Sequence, residues 1–256
     1  MKYAARRPAL FANAKNKNGL ALKSGTEEKK MRRKPELIVM LTYNDVTVEN
    51  ASEIFRQCRN SKARYWGFKE KGIPFVEMKQ LFAEMKQCGK ITGLEVVAYT
   101  EQEGMDGART ALECGVDILM GTIYSDKIND FCKEHHLKYM PFVGTVEERP
   151  SVLKGDIQKI KEEARTYLEK GVYGIDLLGY RYTGDARQLN RVMAESIEMP
   201  ICIAGSVDSY EKIAELLEIG AHSFTIGSAF FDNQFGETFM EQIDRVCDYV
   251  EKKYVS

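Results

Sequence analysis

The stretch ICIAGSVDSYEKIAELLEIGAHSFTIGSAFF, from Ile201 to Phe231, contains two short apolar runs that each end in Gly-Ser, with a segment of helical spacing between them. Glycine lets backbone N–H groups approach a ligand closely because it has no Cβ, and serine adds a hydroxyl donor. A helix that begins after such a corner points its positive end at the same place. Two such corners side by side predict a phosphate site, although Gly-Ser is also ordinary turn chemistry.

The same alternation of apolar runs and helical segments fills the chain from residue 35 onward. The eight apolar runs are LIVMLTY (37–43), ARYWGF (63–68), GLEVVAYT (93–100), VDILMGTI (116–123), LKYMPFVG (137–144), YGIDLLGY (173–180), PICIAGS (200–206) and SFTIGSAFF (223–231). Strands that alternate with helices pair in parallel through right-handed crossovers, and eight units are the number found in a closed barrel. The sequence therefore predicts an α/β fold, a (β/α)8 TIM barrel over residues 35–256. A doubly wound sheet is the alternative, but no glycine fingerprint follows the first run.

Residues 1–34 do not share this alternation. They carry eleven Lys or Arg against two Glu, a charge of +9, whereas the whole chain has a net charge of −1. We interpret them as a basic N-terminal extension, which could be a disordered arm, a cover for the bottom of the barrel or an oligomer contact. The near-neutral total indicates no bulk affinity for nucleic acid.

The composition favours a cytoplasmic protein without a cofactor. No stretch approaches the roughly 20 apolar residues that span a membrane, and the basic N-terminus lacks the apolar core of a secretory signal. The six cysteines form no CxxC pair, so free thiols are expected rather than a disulfide framework. His135 and His136 follow a helical segment and His222 precedes the last run, so none is placed as a metal ligand and no metal is expected.

The closing segment, IAGSV followed by IGAHSFTIGSAFF, resembles the ribulose-phosphate-binding barrels, which include sugar-phosphate epimerases, indole-glycerol-phosphate synthase-like enzymes and aldolases. The resemblance is specific for residues 200–231. It implies a phosphorylated ligand near Gly205, Ser206, Gly227 and Ser228, at the loops after strands seven and eight where this fold often binds phosphate. GFKEKGIP and LLGYRYTGD are similar to the pattern of N-acetylmannosamine-6-phosphate epimerases. Their spacing differs, so no catalytic residue is carried over.

Three residues are candidates for catalysis, because active sites of such barrels lie at the carboxyl ends of the strands. Lys69 follows an aromatic strand and could act as a base, an electrophile or a Schiff-base amine. Glu95 and Asp176 lie inside apolar strands, where a carboxylate is costly unless it is paired or functional. Alternatively, Lys69 could be a solvated loop lysine, or Lys69 and one of the two carboxylates could form a buried ion pair with a purely structural role.

Three further residues, Arg181, Asn44 and Thr122, are the main candidates for substrate binding. Arg181 lies between two tyrosines and could hold a carboxylate or a second phosphate, or simply stack on a ring. Asn44, together with the neighbouring Asp45, could orient substrate hydroxyls or cap the next helix. Thr122 lies near the end of the fourth run and is expected to face the predicted site.

Two classes of function follow. The first is an enzyme that acts on a small phosphorylated sugar or keto acid, either by proton abstraction next to a carbonyl, as an isomerase or epimerase, or as a Schiff-base aldolase-type lyase using Lys69. The second is a non-catalytic barrel that senses a phosphorylated metabolite and contacts RNA or a protein through its basic arm. The expected partner is a phosphorylated small molecule, with no membrane partner and a homo-oligomer left open.

Overall fold

A computed structural model describes residues 33–255 of the chain. Its core is an eight-stranded parallel sheet whose strands are β1 (Glu36–Met40), β2 (Tyr65–Lys69), β3 (Ile91–Val96), β4 (Ile118–Gly121), β5 (Lys138–Met140), β6 (Ile175–Leu177), β7 (Ile201–Ile203) and β8 (Ser223–Ile226). The strands lie in the order β6-β7-β8-β1-β2-β3-β4-β5. A parallel bridge between Phe142, just after β5, and Asp176 in β6 joins the two edges. The predicted barrel is confirmed.

Helices connect the strands and cover the outside of the barrel. They are α1 (Ala51–Cys58), α2 (Phe75–Gln87), α3 (Glu101–Cys114), α4 (Asp126–Glu134), α5 (Ile157–Glu169), α6 (Ala186–Ser196), α7 (Tyr210–Ile219), the short α8 (Ser228–Phe231) and α9 (Phe239–Val255). Several begin at a side-chain cap: the side chain of Ser209, for example, accepts a hydrogen bond from the Lys212 amide. Helix α7 ends at Gly220 in the left-handed conformation, as the sequence pattern predicts.

The strands bury two separate apolar layers. Leu37, Val39 and Leu41 of the β1 segment point outward, into the large core between the strands and the helices. The alternate residues point inward, where they form a smaller cluster of Ile38, Met40, Ile118, Met120, Met140 and Cys202. Inward positions recur every second residue along a strand. Lys69 and Glu95, two residues after the inward-facing Gly67 and Gly93, therefore point into the barrel near the carboxyl ends of β2 and β3.

Glycine at an inward position of β2 keeps this interior compact. A Cβ on Gly67 would lie 2.5 Å from the carbonyl oxygen of Gly93 and 3.1 Å from the sulfur of Met40. Because Gly67 and Gly93 have no side chains, Met40 and Met120 have room to fill the centre of the barrel.

Two small hairpins extend above the carboxyl ends of the strands. The first hairpin pairs Thr42–Tyr43 with Val46–Thr47, and the second hairpin pairs Thr145–Glu147 with Val152–Lys154. A bridge between Leu153 and Tyr182 ties the second hairpin to the loop after β6. Neither hairpin was predicted from the sequence, and both contribute to the site.

The other sequence predictions concern the N-terminal segment, membrane-spanning helices, the cysteines and the last apolar run. The prediction for residues 1–34 lies almost entirely outside the described residues, so its three alternatives stay open. Within the described part no helix is long and apolar enough to cross a membrane. All six cysteines are free thiols, as expected. The last apolar run (223–231) leaves the sheet after Ile226, and its second half forms the Gly-Ser corner and α8.

Candidate active site

A cavity of about 320 Å³ opens at the carboxyl ends of the strands. Its walls come from the ends of six strands and the loops that follow them, and the lining residues are Met40, Thr42, Asp45, Lys69, Glu95, Leu178, Arg181, Ala204, Gly205, Ser206, Val207, Asp208, Thr225, Gly227, Ser228, Ala229, Asp232 and Gln234. This volume is at the small end of the range for ligand pockets, roughly 300–1,000 Å³. The cavity fits a small metabolite.

Lys69 and Glu95 meet at the floor of this cavity. They are direct partners in the parallel register of β2 and β3, so both side chains point into the barrel from neighbouring strands. The Lys69 Nζ atom lies 3.1 Å from Glu95 Oε1, and both side chains are 7% exposed. A buried charged pair of this kind, open to a cavity on one side, is able to move a proton within a largely dry space.

Asp45 joins the two cations of the cavity. The tight turn of the first hairpin holds Asn44 and Asp45 at positive φ angles of 49° and 65°. From there the Asp45 carboxylate accepts a hydrogen bond from Lys69 Nζ at 3.0 Å and from Arg181 Nη1 at 3.1 and 2.8 Å. The backbone amide of Ser151, in the second hairpin, donates to the same carboxylate at 3.2 Å. Asp45 therefore connects β2, the loop after β6 and both hairpins.

These contacts determine the charge states of Asp45 and Lys69. Burial, the largest single effect, would raise the pKa of Asp45, but the hydrogen bond from Arg181 and the charge of Lys69 lower it to about 2. Burial also acts to lower the pKa of Lys69, and the charges of Glu95 and Asp45 outweigh it, so that this pKa lies above its usual range. Lys69 is therefore an ammonium ion at neutral pH, and Asp45 is a carboxylate.

Asp176 lies deeper in the barrel than the cavity. Asp176 is only 1% exposed, and neither carboxyl oxygen makes a hydrogen bond of good geometry among the described residues. Burial first, and then the charge of Glu95, raise its pKa well above the usual range, while Lys69 and the backbone of Gly121 act in the opposite direction. Asp176 does not line the cavity, so it has no direct access to a ligand there.

The two Gly-Ser corners line the opposite wall. Gly205 and Ser206 have positive φ angles of 87° and 63°, which turn the chain sharply after β7. A Cβ on Gly205 would lie 2.7 Å from Cγ of Arg181, so only glycine lets the arginine stem lie across this corner. Gly227 and Ser228 form the second corner, and the Ser228 hydroxyl accepts a hydrogen bond from the amide of Asn44 at 3.1 Å.

Two carboxylates lie at the rim of the cavity. Asp208 forms an ion pair with Lys212 at 2.9 Å. Asp232 is exposed and accepts a hydrogen bond from the Tyr43 hydroxyl at 3.1 Å. Because Asp232 has no cation bonded to it among the described residues, its charge opposes the approach of an anion to the corners.

The structure brings together most of the predicted residues. The predicted residues that line the cavity are Lys69, Glu95, Arg181, Gly205, Ser206, Gly227 and Ser228. Asn44 lies beside the Ser228 corner, with its backbone rather than its side chain bonded there. Asp176 lies below the cavity, as described above.

Thr122 faces away from the cavity. It follows Gly121, and both residues have positive φ angles, 64° and 75°, which turn the chain outward at the end of β4. Its hydroxyl lies 2.6 Å from the Tyr139 hydroxyl and 3.0 Å from the Ile123 carbonyl oxygen, on the outer side of the barrel. This placement gives its predicted role in substrate binding no support.

Sequence reasoning placed Asp45 beside Asn44 as a residue that could orient substrate hydroxyls or cap the next helix, and it did not predict the contacts of Asp45 with Lys69 and Arg181. Asp45 was visible as a polar residue after the first strand, but its position next to an asparagine is equally typical of a turn or a helix cap. A two-residue Asn-Asp turn between short β segments was the available signal for the hairpin. Ser151 gave no signal, because its contact with Asp45 joins residues 106 positions apart.

The described residues contain no group of three or more His, Cys, Asp or Glu arranged to hold a metal ion. The site as it stands consists of two cations, their carboxylate partners and the two Gly-Ser corners.

Comparison with known protein sequences gives a match over a short part of the chain. No family model matches the chain. Imidazole glycerol phosphate synthase subunit HisF from Aeromonas salmonicida is 34% identical over 73 residues, which is 27% of this chain and only 28% of the HisF chain.

Two solved structures show the same architecture over most of the chain. Orotidine 5'-phosphate decarboxylase from Pyrococcus horikoshii aligns with a TM-score of 0.62 and 13% identity, covering 84% of this chain and 99% of that chain. N-acetylmannosamine-6-phosphate 2-epimerase from Clostridium perfringens aligns with a TM-score of 0.57 and 12% identity, covering 82% and 93%. The barrel fold that the sequence resemblance implied is thus confirmed, and at these identities the likeness is one of fold.

Proposed function

We propose that the chain is an enzyme that acts on a small phosphorylated sugar or keto acid and moves a proton at the carbon next to a carbonyl group. The observation that supports this most is a single small cavity lined on one side by the buried Lys69–Glu95 pair and on the other by the two Gly-Ser corners. The names of the similar proteins, which refer to phosphorylated compounds, agree with this class of ligand.

In the proposed reaction the phosphate group binds at the Gly-Ser corners and the carbonyl oxygen faces Lys69. Glu95 accepts the proton as the C–H bond breaks, and the electron pair moves to the carbonyl oxygen to give an enolate. The Lys69 ammonium stabilises that negative charge, which develops in a water-poor site. Return of a proton to the same carbon from its other face gives epimerisation. Isomerisation of a hydroxy-carbonyl compound requires one further transfer, of the proton on the neighbouring hydroxyl to the former carbonyl oxygen, before a proton is added to the former carbonyl carbon.

The charge state of Lys69 separates this reaction from the lyase alternative. A Schiff base requires an unprotonated amine as nucleophile. The carboxylates of Asp45 and Glu95 raise the pKa of Lys69 and keep it an ammonium ion, so acid–base chemistry is favoured over covalent catalysis.

The first test is a thermal-shift screen of the full chain with phosphorylated aldoses, ketoses and keto acids, with inorganic phosphate as a control. A ligand present at about 100 times its Kd adds roughly 2.7 kcal/mol of stability, or about 5–10 °C in Tm for a chain of this size. If no phosphorylated compound raises the Tm, the proposal is wrong.

The second test asks whether a ligand found in this way reacts. Deuterium should be incorporated from D₂O at the carbon next to its carbonyl, and Glu95→Gln should abolish the exchange while keeping the thermal shift. Glu77→Gln, an exposed carboxylate in the first turn of α2, is the matched control and should exchange like the wild type. Binding without exchange would favour the sensor, and an adduct trapped at Lys69 by borohydride would favour the lyase.

A further inference from the structure

Lys212, in the first turn of α7, does not line the cavity, yet its side chain holds the Gly-Ser corner after β7. Its Nζ atom donates to the carbonyl oxygen of Ser206 at 2.7 Å and pairs with the Asp208 carboxylate at 2.9 Å. The same ammonium group lies over the ring of Tyr180, 5.2 Å from its centroid. Three partners therefore share the entropic cost of fixing this side chain, a cost that cancels most of the gain from an isolated surface ion pair.

The peptide bond that Lys212 holds joins Ser206 to Val207. This bond is trans, and a trans peptide directs its C=O and its N–H in opposite directions. The Ser206 carbonyl points to Lys212, outside the cavity, so the Val207 N–H points the other way. Val207 lines the cavity, and the position of the Lys212 ammonium group thus decides where the Val207 N–H is directed.

The Val207 amide is a buried donor without an acceptor. Val207 is 2% exposed, and its N–H makes no hydrogen bond within residues 33–255. Buried backbone N–H groups in proteins are nearly always paired, so such a group at the wall of a cavity indicates an acceptor that enters the cavity. A phosphate oxygen at the corner is an acceptor of this kind.

The backbone of the corner needs support from outside. Ser206 has a φ of 63°, in the left-handed region that residues with a Cβ rarely adopt. The Arg181 stem packs against Gly205 from the cavity side. Lys212 holds the corner from the other side, and its own backbone is bonded to the loop that carries Arg181, because the Tyr180 hydroxyl donates to the Lys212 carbonyl oxygen at 3.2 Å.

We propose that Lys212 is a positioning residue of the phosphate site. Its ammonium group fixes the Ser206–Val207 peptide so that the Val207 N–H faces the cavity and donates to the phosphate of the ligand. Lys212 itself does not touch the ligand. This role rests on the proposed function, which places a phosphate group at the Gly-Ser corners.

Nuclear magnetic resonance of the full chain without ligand tests the contact between Lys212 and the corner. Lys212→Met keeps an unbranched side chain over Tyr180 but has no donor, so the Ser206 carbonyl carbon and the Val207 amide nitrogen should change their chemical shifts. Lys212→Arg supplies a donor again and should return both signals toward their wild-type positions. Unchanged signals in Lys212→Met would overturn the proposal.

Lys127→Met is the matched control. Lys127 also lies in the first turn of its helix, α4, forms an exposed salt bridge with Glu101, and does not line the cavity. Its replacement should leave the signals of Ser206 and Val207 unchanged.

Titration of the same variants with inorganic phosphate tests the consequence for binding. In the wild type the Val207 amide proton should shift as phosphate is added. Lys212→Met should bind phosphate about tenfold more weakly, a loss of the size expected for one hydrogen bond to a charged group. Lys212→Arg should regain most of the affinity, and Lys127→Met should bind like the wild type.

The double variant Lys212→Met with Asp208→Asn separates orientation from charge. It removes one positive and one negative charge, so the net charge beside the corner equals that of the wild type, but the Ser206 carbonyl still lacks its donor. Weaker phosphate binding in this variant supports positioning. Wild-type affinity would mean that Lys212 acts through its charge alone and would overturn the proposal.

The titration also distinguishes failure of this role from failure of the phosphate site. Equal phosphate affinity in wild type and Lys212→Met would overturn the positioning role and leave the phosphate site in place. A wild-type Val207 amide that does not respond to phosphate would overturn the positioning role together with the phosphate corner of the proposed function.

Discussion

Replacing Asp45 with asparagine should lower the free energy of unfolding by about 2.5 kcal/mol at pH 7. Arg181 and Lys69 hold the pKa of Asp45 at about 2, against an ordinary value of 3.8, in spite of burial. Each pKa unit corresponds to roughly 1.4 kcal/mol, so the difference between the folded and unfolded states is worth about 2.5 kcal/mol. The Asp45 side chain is 14% exposed, so water screens these contacts little. For a chain of this size the expected loss in Tm is roughly 5–10 °C.

The sign of the pH dependence follows from the lowered pKa. The stability that Asp45 contributes is fully present above the unfolded-state value near 3.8 and is lost as the pH falls toward 2. About half of it is lost by pH 3. The difference between wild type and Asp45→Asn should therefore be constant between pH 7 and 5 and should shrink below pH 4.

Urea denaturation at several pH values measures this difference. Trp66, the single tryptophan, is fully buried in β2, so its fluorescence reports the unfolding of the barrel. Asp232→Asn is the control, since it removes from the same cavity an exposed carboxylate that is bonded, within residues 33–255, to the hydroxyl of Tyr43 alone. The predicted stabilisation by Asp45 would be refuted if Asp45→Asn lowered the free energy of unfolding at pH 7 no more than Asp232→Asn does. It would also be refuted if the difference between wild type and Asp45→Asn did not shrink in acid.

Three further predictions concern the same cavity. Lys69→Met removes the cation shared by two buried carboxylates and should cost about 3–5 kcal/mol in thermal or urea unfolding; a loss under about 1 kcal/mol would contradict a buried ion pair. Gly205→Ala should cost roughly 1–2 kcal/mol, because its φ is 87° and the new Cβ would displace Arg181, and it should weaken ligand binding in calorimetry; unchanged stability would contradict the strained corner. Asp232→Asn should tighten the binding of a phosphorylated ligand a few-fold at low salt and less at high salt, and equal affinities at both salt concentrations would place the phosphate elsewhere.

The sequence by itself determined the barrel and its two Gly-Ser corners. Both depend on local patterns: apolar runs alternate with helical segments, glycines end helices, and a short motif follows each of the last two strands. A parallel sheet of eight such units brings the carboxyl ends of all strands to one face, so the approximate location of Lys69, Glu95 and Arg181 followed from the order of the elements alone.

Only the tertiary structure decided which side chains meet. Lys69 and Glu95 are partners because β2 and β3 pair in one particular register, and a shift of one residue would turn either side chain out of the barrel. Asp45 reaches Lys69 and Arg181 because the hairpin turn holds Asn44 and Asp45 at positive φ. Thr122 turns away from the cavity because Gly121 and Thr122 also have positive φ. These outcomes depend on contacts between residues far apart in the chain, whose free energies arise only after the barrel has closed, and local sequence patterns do not encode them.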